Sequence, residues 1–76
     1  GILDISPREA SMLHLLIQRA GQAVTKEQLF NHVFRDELDV NIEAVEVVAY
    51  RLRKKLQNTG TELVTLRGLG YLLKAQ

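Results

Sequence analysis

The chain has no cysteine, no tryptophan, a single proline and only 5% aromatic residues among its 76 positions. Without cysteine there is no disulfide framework and no thiolate metal site, a composition suited to a reducing compartment. No apolar run nears the ~20 residues of a membrane span, and no signal-peptide pattern opens the chain. The expected location is therefore cytoplasmic, with no membrane partner. A surplus of one charge sign is also missing, since ten Lys and Arg stand against nine Asp and Glu for a net charge of +1. Catalytic constellations are absent too. His14 and His32 fall on the polar sides of their predicted helices, away from any Ser, Cys or carboxylate arrangement. No metal-ligand spacing or Walker loop occurs, and Gly68-Leu69-Gly70 is too short for a dinucleotide fingerprint. No enzyme activity, metal or cofactor is expected.

What is present is segregated charge on a patterned chain. Arg51, Arg53, Lys54, Lys55 and Arg67 lie in the last third, while Asp36, Glu37, Asp39, Glu43 and Glu46 precede them. Such segregation makes a local basic surface without a high net charge. The length corresponds to one domain, residues 1–76, above the ~40-residue floor below which folds need disulfides or metals. Ser6-Pro7-Arg8-Glu9 predicts a helix start, with Ser6 as cap, Pro7 in the first turn and Glu9 closing a capping box. Ala10, Leu13, Ile17 and Ala20 follow as an apolar stripe with Leu16 between them, Met12 and Leu15 broaden it, and Gly21 is the expected stop. Thr25 and Gln28 repeat the capping logic for a second helix that buries Leu29, Phe30, Val33 and Phe34.

After an acidic loop, Asn41 is the expected cap of a third helix running to about Gln57. At about 100° per residue, Ile42, Val45, Ala49, Leu52 and Leu56 share its core side. Glu43, Val47, Tyr50, Arg51 and Lys54 face outward, with Arg53 and Lys55 at the two edges. A solvated amphipathic helix would show the same period. An outward Val47 and Tyr50 among cations fit DNA better, through thymine methyls and a hydroxyl to phosphate or base edge. Glu62 to Leu66 and Tyr71 to Leu73 read as strands, joined by a Gly-containing hairpin turn that carries Arg67. That Arg is either an ordinary exposed turn residue or a group for a narrow minor groove.

Positions 3–9, Leu-Asp-Ile-Ser-Pro-Arg-Glu, together with Val24 to Leu29, Val45-Glu46-Val47 with Arg51 to Leu56, and Thr65 to Tyr71, occur in the order of four family motifs. They resemble the OmpR/PhoB-type winged-helix effector domain of two-component response regulators over nearly the whole chain. The resemblance implies an α+β fold, a winged helix-turn-helix of three helices plus a C-terminal β-hairpin wing, with the upstream N-terminal sheet largely missing beyond Ile2 to Ile5. It implies sequence-specific binding of double-stranded DNA at direct-repeat promoter sites and regulation of transcription. Carried over by position, Arg51, Arg53 and Val47 meet DNA in the major groove and Arg67 in the minor groove. Thr25 and Lys26 sit near a phosphate, and Tyr50, Lys54 and Lys55 add to the same surface. Asp36, Glu37 and Leu38 stand where some members contact RNA polymerase. Val48, Tyr50 and Glu43 depart from the family pattern and would lower the positive charge of the reading face. The chain reads as a C-terminal fragment of a response regulator, monomeric alone, whose sensor kinase would act through an absent receiver domain. The alternative is a winged-helix protein-interaction module without DNA readout. RNA binding fits less well, since no aromatic stacking surface is present.

Overall fold

The structure, a computed structural model, describes residues 4–75. Its elements are α1 (Pro7–Gln18), β1 (Val24–Thr25), α2 (Lys26–Val33), α3 (Ala44–Lys55), β2 (Thr61–Leu66) and β3 (Gly70–Ala75). The strands form one antiparallel sheet in the order β1-β3-β2. The fold is the expected α+β winged helix-turn-helix. Of the upstream strand remnant, Ile2 and Leu3 lie outside the described residues, and Asp4 and Ile5 belong to no strand.

Both expected capping boxes form. Ser6 Oγ accepts from the Glu9 N–H at 3.2 Å while Glu9 Oε1 accepts from the Ser6 N–H at 3.0 Å. Thr25 and Gln28 make the same reciprocal pair at the start of α2. Asn41 does not cap α3. Its Oδ1 accepts from the Glu43 N–H at 3.0 Å, which closes a turn, and the helix begins only at Ala44, with Glu43 as a cap whose side chain bonds nothing there. An Asn side chain offers the backbone a local turn as readily as a helix start, and here the turn wins.

The core runs between the helices and one face of the sheet. Met12, Leu16, Val24, Leu29, Val45 and Leu52 are fully buried, with Phe34, Leu56, Leu63 and Tyr71 nearly so. Each such side chain contributes roughly 1.5–3 kcal/mol by leaving water. The buried side of α1 is carried by Glu9, Met12, Leu15 and Leu16, not by the stripe centred on Leu13 and Ile17. Leu13 is half-buried, and Ala10, Ile17 and Ala20 are exposed. Periodicity alone left two apolar arcs on this helix, and contact with α2 and α3 selected the one through Met12. On α3, Val48 joins the core, only 7% exposed, because it stands three residues after Val45 and four before Leu52. Ile42 precedes the helix and is only half-buried.

α1 stops at Gln18, three residues before the expected Gly21, and Ala20 takes a left-handed conformation at φ 51°. An L-residue with a Cβ is strained there by about 1–2 kcal/mol, part of which glycine would return through its looser unfolded chain. Ala20→Gly, at an exposed site, is expected to stabilise the domain by about 0.5–1 kcal/mol. That corresponds to a melting temperature about 2–8 °C higher in a thermal circular-dichroism scan; an unchanged or lower midpoint would contradict the left-handed turn.

β1 was not legible as a strand. It is two residues long and pairs with the outgoing strand of the hairpin, Val24 opposite Tyr71 and Thr25 opposite Gly70. The Lys26 N–H continues the contact by donating to the Leu69 carbonyl at 3.2 Å. The wing is therefore fastened at its base to the start of α2. Its two long strands pair in register from Thr61 opposite Ala75 to Leu66 opposite Gly70. The turn is Arg67-Gly68-Leu69, with Gly68 at φ +76°, a left-handed position that glycine occupies without strain.

Candidate nucleic-acid interface

The outward side of α3 carries Val47 and Tyr50, half-exposed at 50% and 56%, beside exposed Arg51 and Lys54. Lys54 Nζ lies 5.0 Å from the Tyr50 ring centroid, so the ammonium and the ring hold one another in place without using the Tyr50 hydroxyl. Neither Arg51 nor Lys54 pairs with a carboxylate among the described residues. The last turn of α3 gathers Arg53, Lys54 and Lys55, a favourable end of the helix dipole for cations.

The remaining expected site residues are not all equally available. Lys26 Nζ sits 2.6 Å from Glu46 Oε2, tying the start of α2 to the first turn of α3. The hydrogen bond to Glu46 raises the Lys26 ammonium pKa, so the cation is held charged. Thr25 spends its hydroxyl on the cap of α2. Arg53 is half-buried, its Nε donating to the Leu63 carbonyl at 3.2 Å and its guanidinium also bonding Thr65 Oγ1 on β2.

Lys55 points elsewhere. Its Nζ lies 2.6 Å from Glu9 Oε1 on α1, whose side chain is 4% exposed, so the ammonium serves the helix packing and is turned from the outward row. Val48 likewise is absent from the outward side of α3, since it is buried. The departure at that position therefore removes nothing from the charge of the surface.

A groove of about 430 Å³ separates the wing from the beginnings of α2 and α3, bordered by Lys26, Glu46, Ile42, Arg67, Leu69 and Tyr71. Burial raises the Tyr71 phenol pKa, so it stays a neutral wall of this groove. Arg67 is exposed at the hairpin tip beside half-exposed Leu69. The α2 start, the first turn of α3 and the hairpin tip thus border one concave surface, and Val47, Tyr50, Arg51 and Lys54 lie outside its lining. Among the described residues no group of His and carboxylate side chains is placed to hold a metal, and no helix is long and apolar enough to cross a membrane.

The loop between α2 and α3 is more tied down than its composition implied. Glu37 pairs with Arg8 of α1, whose guanidinium also lies 4.8 Å from the Phe34 ring centroid. Glu37 is consequently not a free carboxylate, whereas Leu38 is 97% exposed and Asp36 is exposed. Glu46 and Thr65 were not singled out by sequence, because their roles depend on Lys26 and Arg53, twenty and twelve residues away.

Residues 2–73 match the family described as transcriptional regulatory protein, C terminal. The transcriptional regulatory protein TctD of Salmonella typhimurium is 43% identical over 72 residues, 95% of this chain and 32% of that protein. The phosphate regulon transcriptional regulatory protein PhoB of Klebsiella pneumoniae is 36% identical over 76 residues, 97% of this chain and 33% of that protein. The chain thus spans about a third of the length of these relatives. Among solved structures, the DNA-binding domain of the response regulator AdeR, crystallised in complex with an intercistronic region, superimposes with a TM-score of 0.82. It is 28% identical, over 97% of this chain and 76% of that one.

Proposed function

The chain belongs to the family of transcriptional regulatory protein C-terminal domains, and from that premise we propose that it reads duplex DNA as the output domain of a two-component response regulator. The observation that carries the reading is the outward row of α3, where exposed Val47 and Tyr50 stand among unpaired cations on a helix of major-groove dimensions. Arg51 is assigned to a base edge, Val47 to a thymine methyl, and Tyr50 and Lys54 to the backbone beside them. Arg67 is assigned to the minor groove from the tip of the wing. Thr25 and Lys26 lie at the start of α2, where backbone N–H groups and the helix dipole favour a phosphate. Lys26 reaches that phosphate by exchanging Glu46 for it, and Lys55 takes no part.

Residues 1–76 form the effector module, and the rest of the regulator would supply the phosphoacceptor receiver on which a sensor kinase acts. The AdeR DNA-binding domain, crystallised in complex with an intercistronic region, supports duplex DNA as the partner. Direct repeats and head-to-tail pairing are proposed on the family resemblance, with the isolated domain monomeric. The α2–α3 loop, with Leu38 outward and Asp36 beside it, is proposed as a contact for RNA polymerase. Its carboxylates would repel a DNA backbone, so the loop points away from the duplex.

Titration of promoter fragments across a salt series tests the reading. Phosphate contacts give a steep linear fall of log affinity with log salt, whereas a protein-interaction module without DNA readout gives no specific complex at any salt. Arg51→Ala is expected to weaken a cognate site by about 1–3 kcal/mol and random DNA much less. Equal losses on both would make Arg51 a phosphate clamp. Arg67→Ala is expected to weaken A·T-flanked sites more than G·C-flanked ones.

A further inference from the structure

β3 is anchored at one end to β1, but β2 is the outer strand of the sheet and, among the described residues, has no strand neighbour on its far side. The inward-facing Leu63 is buried against the core, and the polar tie from β2 to α3 is Arg53. Its guanidinium bonds two groups of the strand, the Leu63 carbonyl and the Thr65 hydroxyl, on residues that flank Val64. A guanidinium is a planar fork that fixes direction as well as distance, which a lysine ammonium on a flexible stem does not. Thr65 lies two residues before Arg67, so whatever fixes Thr65 fixes the bearing of the hairpin tip. The α3 end of the tie is equally firm, since Arg53 follows fully buried Leu52 in the turn that closes on Leu56.

We propose that Arg53 is a positioning residue, a strut that sets the angle of the wing against α3 so that Arg67 is presented to the minor groove while Arg51 occupies the major groove. The inference rests on the DNA-binding reading above and gives Arg53 a different task from the direct contact expected of it by position. Through it, the two halves of the interface are coupled: loosening the strut leaves major-groove selection by α3 intact and costs the selection of flanking sequence. A loss of stability alone would instead weaken all sites alike.

The test uses R53K, which keeps the charge and loses the fork, and T65V, which removes the hydroxyl acceptor and leaves Arg53 untouched. Affinities are measured on sites that differ only in A·T or G·C flanks, and on sites changed in the major-groove bases. Both variants are expected to lower the A·T over G·C ratio toward one with major-groove discrimination unchanged. The double variant is expected to lose no more than either single, and R53K in an Arg67→Ala background to change the ratio no further. If T65V keeps the wild-type ratio, or R53K lowers affinity equally on every site, Arg53 is no strut. A second readout needs no DNA: residual dipolar couplings of the β2 amides are expected to report a reoriented or less ordered strand in both variants, with α3 unchanged. Unaltered couplings overturn the strut even where DNA affinity falls. Absence of any salt-dependent DNA complex in the wild type, with the couplings still shifted, removes the DNA-binding reading and leaves the mechanical tie standing.

Discussion

Gly70→Ala is expected to lower the melting temperature by more than about 10 °C and to detach the wing from the start of α2. The added Cβ would lie 2.0 Å from the Val24 carbonyl oxygen, 2.8 Å from the Thr25 Cα and 2.9 Å from the Val24 carbonyl carbon. All of these are backbone atoms, so no side chain can rotate aside. Gly70 is opposite Thr25 in the β1–β3 ladder and opposite Leu66 in the β2–β3 ladder, which confines it from both sides. Overpacking typically costs about 1–3 kcal/mol where neighbours can adjust, and here the upper end or more applies. A domain of this length has roughly 4–11 kcal/mol in hand, so a large fraction is at stake. Gly68→Ala is the control. Its φ of +76° strains any other residue, but nothing lies within 4 Å of the added Cβ, so the loss is expected near 1 kcal/mol. Thermal melts of both variants decide the matter, and equal midpoints would mean that β1 does not pair with β3 in solution.

The second large effect is at Glu9. Its carboxylate is almost fully buried, receives the Ser6 N–H that completes the α1 capping box, and meets Lys55 Nζ at 2.6 Å. The Lys55 hydrogen bond first, then the Ser6 N–H, hold its pKa below the ordinary glutamate value against the opposing effect of burial. Lys55→Met would leave that carboxylate unpaired beneath α3 and is expected to cost about 2–3 kcal/mol, below the range for a fully dry pair. The discount reflects Lys55, which keeps 36% of its side chain in water. Because the folded pKa is lowered, the stability contributed by the ionised group is complete at neutral pH. It fades as pH falls from the ordinary value near 4.3 through the folded one. Glu9→Gln should therefore be less stable than wild type at pH 7, with the gap closing toward pH 3. Urea midpoints measured across that range check it, and a gap independent of pH would assign the loss to shape rather than charge.

Local chemistry was legible wherever its partners lie within one or two helical turns. Ser6 with Glu9 and Thr25 with Gln28 announce two helix starts, and each box closes as its spacing requires. The hairpin was legible from strand-forming residues around Gly68 and Gly70, and the outward placement of Val47, Tyr50, Arg51 and Lys54 from helical period alone. Asn41 shows the limit within local reasoning, because the same side chain serves a turn or a cap and the sequence contains both options.

By itself the sequence determined the three helices, the hairpin, the outward row of α3 and the family, because these depend on contacts a few residues apart and on motif order. Tertiary structure alone decided which cations of the basic segment remain free. Arg53, Lys54 and Lys55 are consecutive, yet the first is bonded to β2, the second faces water over Tyr50, and the third is paired with Glu9, forty-six residues away. Helical period sets the direction in which each side chain leaves the helix. What stands there to receive it is set by how the other elements pack, and a charge follows its partner.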